Sequence, residues 1–88
     1  MSIYTIERVL FDLTSNPQAP ARFREDATAF LAAYPLAQDE ASIIRTLDVR
    51  AMHDRGVDAM LTMRAFNAVE GRARMPEYMR RINPPTQS

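Results

Sequence analysis

His53 is the one histidine of this 88-residue sequence, and the side chain whose ordinary pKa best suits proton transfer near neutrality. No cysteine is present, which removes thiolate nucleophiles, disulfides and zinc-thiolate sites together. A lone histidine cannot supply the two-histidine, one-carboxylate face that holds non-haem iron, so no metal or cofactor is expected in this chain. His53 lies in the charged stretch from Arg50 to Arg55, where it reads either as a solvated polar residue or as a partner contact. The adjacent acids Glu25 with Asp26, and Asp39 with Glu40, could suggest acid/base work. Successive helix residues do not face one another, however, and both pairs stand where helices should begin. Capping and the helix dipole account for them. Gly56 and Gly71 match no phosphate-cradling loop and read as helix terminators.

With reactive groups so few, what remains is shape. Six methionines are many for this length; beyond the initiator they are Met52, Met60, Met63, Met75 and Met79. Methionine fills irregular core gaps and is also over-used on adaptable binding surfaces, and both readings are open. The apolar fraction of 47%, with 25% charged residues, belongs to an ordinary folded chain, and the length suits one domain. Eleven basic residues, all arginine, balance eleven acids, which argues against a nucleic-acid partner. Glu7, Arg8 and Asp12 break the apolar pattern of the first residues, so neither a signal peptide nor a membrane span is expected. Together with the missing cysteines this points to a soluble, cytoplasmic protein.

The periodicity is helical nearly throughout and predicts an all-α, single-domain bundle of five or six short helices. Ile3, Ile6, Leu10 and Leu13 share one face of a helix over residues 3–14, which Pro17 closes off. A short helical turn starting at Pro20 is anchored by Phe23. A further segment from Asp26 carries Ala27, Phe30, Leu31 and Tyr34 up to Pro35. Residues 38–47 place Ala41, Ile44 and Leu47 on one side, with acids at the start and Arg45 at the end, as the dipole prefers. Asp48 caps a helix that Gly56 terminates, and Asp58 caps the next.

That next helix, 59–70, is apolar over most of its circumference, with Leu61, Ala65 and Ala68 in one stripe and Met63 and Phe66 in another. It is either the core helix or also meets a partner. Residues 1–71 are read as the helical domain. Residues 72–88 hold Arg72, Arg74, Arg80 and Arg81 against Glu77 alone. With Pro76, Pro84 and Pro85 they read as a partly ordered arm with one helical turn around 77–82.

Phe23, then Phe30 and Leu31 ahead of Tyr34, Pro35 and Leu36, then Glu40, Asp48, Gly56 and Leu61 form a pattern across residues 22–66. It resembles the LigA-type small (alpha) subunit of the protocatechuate 4,5-dioxygenase family of extradiol ring-cleaving enzymes. The resemblance implies a non-catalytic helical subunit that docks on a larger catalytic beta-type subunit and helps to close its active site. The iron(II), its ligands and the acid/base residues would then belong to that partner. Met60, Met63, Arg64, Phe66 and Asn67, with His53, are the candidate partner or pocket contacts. In that role Arg64 and Asn67 would orient a polar partner group or a substrate carboxylate. The same small fold also resembles the recognition body of backbone N-methylated peptide precursors, with 72–88 as the modified tail. A free-standing helical interaction domain is the third reading.

Overall fold

A computed structural model describes residues 3–83, and all statements of structure concern these. Seven α-helices and one 3₁₀ turn follow in order. They are α1 (Ile3–Ser15), α2 (Ala19–Glu25), α3 (Ala27–Leu31), α4 (Gln38–Arg45), α5 (Val49–Asp54), α6 (Ala59–Glu70), the turn Arg72–Arg74 and α7 (Met75–Ile82). The all-α fold agrees with the helical periodicity. The helix beyond the expected five or six is α7.

Local chemistry sets the helix starts. Asp26, Asp48 and Asp58 each turn a side-chain oxygen back on the third residue ahead, accepting from the Ala29, Ala51 and Leu61 amides at 3.1, 3.1 and 3.0 Å. Each satisfies one of the donors a helix start leaves without an internal partner. Asp26 also ends α2, its own amide donating to the Arg22 carbonyl, so two short helices meet at one residue. At the start of α4 the carboxylate of Glu40, itself buried, accepts from the Ala37 amide at 2.8 Å. Glu7 of α1 accepts from the Asp58 amide at 2.9 Å and so fixes where α6 begins against α1.

The helix ends are closed differently. Gly56, at φ 89, lets the Gly56 and Val57 amides reach back to the carbonyls of His53 and Met52, the paired closure that favours glycine. The same closure ends α4, where Leu47 and Asp48 donate to Ile44 and Ile43. There the left-handed residue is Leu47, at φ 52, which costs a side-chain-bearing residue about 1–2 kcal/mol. Leu47 is also buried in the core, and that burial holds it in place. Arginines from other helices finish three ends. Arg24 donates to the Val69 carbonyl of α6 at 2.8 Å, Arg50 to Ile82 of α7 at 2.9 Å, and Arg81 to Thr46 and Leu47 beyond α4 at 3.2 and 3.1 Å.

One core cluster runs through the fold. It takes Ile6, Val9, Leu10 and Leu13 from α1, Phe23 and Leu31 from α2 and α3, and Ile44, Leu47, Val49 and Met52 from the α4–α5 corner. From α6 it takes Ala65, Phe66 and Val69. The buried face of α6 is Thr62, Ala65, Phe66 and Val69, which corrects the two stripes expected. Thr62 can face the core because its hydroxyl donates to the Asp58 carbonyl at 2.9 Å. Residues 72–83 form more than the single turn expected of an arm: α7 spans eight residues and buries Tyr78. Pro76 is accommodated in its first turn, where a missing amide donor costs nothing. Residues 84–88, the rest of the expected arm or tail, lie outside the described residues.

Candidate functional site

Apart from Met79 on α7, the large apolar side chains left exposed by the core stand on α1 and α6. Both helices bury one face between them, and each then has an outer face of opposite phase. On α6 that face carries Met60, 54% exposed, and Arg64, which is exposed and makes no hydrogen bond or ion pair with the described residues. On α1 the spacing of three and four places Tyr4, Arg8 and Phe11 together, with Tyr4 72% and Phe11 55% exposed. Glu7 stands between the two, and with Asp58, Met60, Leu61 and Arg64 it lines a shallow recess. Each outer face thus presents large apolar side chains with charges among them.

The expected contact residues therefore divide. Met60 and Arg64 are presented to solvent on one face. Met63 is half-buried against the core. Asn67 is half-buried, and its Oδ1 is enclosed with no hydrogen-bond partner among the described residues. Phe66 is corrected from a contact residue to a core residue. It is fully buried, with the Tyr78 ring edge-on at 5.5 Å and the Arg81 guanidinium over its face at 5.3 Å. His53 is exposed in the last turn of α5. Tyr4 and Phe11 were not among the expected contacts. Their signal was two large aromatics seven positions apart on the side of α1 opposite its apolar stripe.

A second feature is an open groove of about 570 Å³ among α1, α2 and α3, lined by Asp12, Asn16, Arg22, Glu25, Phe30 and Tyr34 among others. Tyr34 donates its phenol proton to Asp12 at 2.6 Å. Burial, and then that bond to a carboxylate, push its pKa up to about 12. The bond ties the segment after α3 to α1. Beside it Phe23 meets Phe30 edge-on and Phe30 meets Tyr34 at a tilt, ring centroids 5.8 Å apart in each pair. The groove is thus a structural seam with carboxylates along its rim.

The family model for the LigA subunit of the aromatic-ring-opening dioxygenase LigAB matches residues 6–75. The chain belongs to the LigA family. No curated protein and no solved structure matches it. The matched span runs from the first turn of α1 to the start of α7 and so takes in Phe11, Met60 and Arg64, while Tyr4 precedes it. The family's description makes a LigA protein one subunit of a two-part enzyme. Among the described residues no group of three or more His, Asp or Glu stands close enough together to hold a metal ion. Among the described residues no helix is long and apolar enough to cross a membrane.

Proposed function

We propose that this chain is the non-catalytic small subunit of an aromatic-ring-opening extradiol dioxygenase. It docks on the larger catalytic subunit, which holds the iron(II), and helps to close that subunit's catechol pocket. The observation that carries this reading is the set of large apolar side chains, Tyr4, Phe11 and Met60, left exposed on a LigA-family chain whose core is already complete. Water solvates such surface poorly, and its removal on docking supplies the non-directional part of the binding energy. Arg64, charged and unpaired among the described residues, adds direction, because a guanidinium meets a carboxylate with two parallel hydrogen bonds. Closing a pocket in this way needs shape more than ionisable groups. Excluding water strengthens the electrostatics inside and protects reactive intermediates.

The test uses the full chain and the catalytic subunit of a ring-opening dioxygenase from the same organism. The lone chain with added iron(II) leaves protocatechuate intact. Mixed with the catalytic subunit, it forms a complex that elutes earlier than either part and raises the rate of ring opening. Cleavage by the lone chain, or two parts that elute separately with the rate unchanged, defeats the reading.

A further inference from the structure

The family match ends at Met75, where α7 begins, and α7 is fastened chiefly from its edges. Of its eight residues only Tyr78 is buried, whereas α1 buries Ile6, Val9, Leu10 and Leu13. The 3₁₀ turn that leads into it buries nothing, and Gly71 before that turn stands at φ 90, with nothing within 4 Å of where a Cβ would be. Met75 and Ile82 at its two ends are partly buried against the core, and the remaining fasteners are polar and lie nearer the surface. Arg81 bonds Glu77 at 2.7 Å and reaches the Thr46 and Leu47 carbonyls, with an open recess beside it lined by Thr46, Leu47 and Asp48. Arg50 of α5 holds the Ile82 carbonyl. Beneath the helix lies Phe66, the largest fully buried side chain of the fold.

We propose that α7 is a releasable strap. It turns about Gly71 and leaves as a unit while α1 to α6 stay folded, uncovering Phe66 as the floor of an apolar groove beside α5 and α6. A segment with one fully buried anchor, two partly buried ones and hydrogen bonds that are exposed or only part-buried has the composition of a cooperative unit that opens below the free energy of global unfolding. With the strap closed, Phe66 is fully buried. The strap stands whether or not the chain pairs with a dioxygenase.

Amide hydrogen exchange on the full chain, read residue by residue at neutral pH, tests it. The amides of Met79 to Ile82 are expected to show protection at least about tenfold lower than those of Leu10, Leu13 and Phe66. Arg81→Ala and Arg50→Ala each lower the α7 protection by about a further tenfold and leave α1 and α6 unchanged. Should Arg81→Ala fail to fold, Arg50→Ala, whose altered side chain is exposed, carries the same comparison. Equal protection in α7 and α1, or variants that speed exchange equally in every helix, overturns the proposal, because α7 would then open only when the whole chain unfolds.

Discussion

Truncating Phe66 to alanine separates the core role that the structure gives this residue from the contact role that its sequence position suggests. The ring is fully buried, and removing a buried ring costs about 3–5 kcal/mol in lost transfer energy and cavity formation. The edge-on Tyr78 contact at 5.5 Å and the Arg81 guanidinium at 5.3 Å fall within that figure, since both act on the atoms removed. A chain of 88 residues has a total stability of about 4–13 kcal/mol, so Phe66→Ala takes away roughly a quarter of it or more. Met60, two turns earlier on the same helix and 54% exposed, should change stability by no more than about 0.5 kcal/mol on truncation. Urea titrations followed by far-ultraviolet circular dichroism measure both, and Phe66→Leu, which keeps most of the volume, should fall between them. A loss under about 1 kcal/mol for Phe66→Ala, or near-equal losses for the two positions, refutes the reasoning.

Three further outcomes follow from local geometry. Because the folded pKa of Tyr34, about 12, lies above its ordinary value of 10.0, its neutral phenol contributes stability that is fully present below pH 10 and is lost as pH rises towards 12. The urea midpoint of the wild-type chain should therefore fall more steeply over that alkaline window than that of Tyr34→Phe; parallel curves would count against the Asp12 bond. Asp58→Ala should cost about 1 kcal/mol through loss of the α6 cap, and Asp58→Asn should recover most of it, both read from urea midpoints. Gly56→Ala should cost about 1–2 kcal/mol from the backbone alone, since the added Cβ would meet only Ile3 Cδ1, at an ordinary 3.6 Å; a neutral outcome in thermal unfolding would contradict the left-handed φ.

The features legible in the sequence were those that short-range chemistry decides. Asp26, Asp48 and Asp58 could be assigned as caps because a cap is made within four residues, and Gly56 as a terminator because a left-handed φ suits glycine. The stripe on α1 was legible because its outer face is polar enough to fix the phase, though Ile3, at the helix end, is left 40% exposed. On α6 that contrast is missing: a helix apolar nearly all round has no phase to read, so Phe66 was placed outward and Val69 overlooked. The extent of α7 was hidden by its arginines and Pro76. Its burial depends on Phe66, twelve residues before Tyr78, and on carbonyls of the α4–α5 corner, neither of which appears in a local pattern. Tyr4 and Phe11 lie opposite the α1 stripe, and a periodicity that marks the core carries no information on the apolar residues it leaves outside.

Leu47 narrows the paths by which this protein can vary. Glycine there would relax the backbone and empty the space its side chain fills; alanine would empty that space and keep the strain; a polar residue content at positive φ would bring an unpaired group inside. No single exchange improves one side of the balance without worsening the other. Drift at this corner should therefore come as coupled changes, glycine at 47 together with a bulkier Ile44 or Val49 neighbour, and a library that varies these three positions jointly should recover folded pairs that the single substitutions never reach.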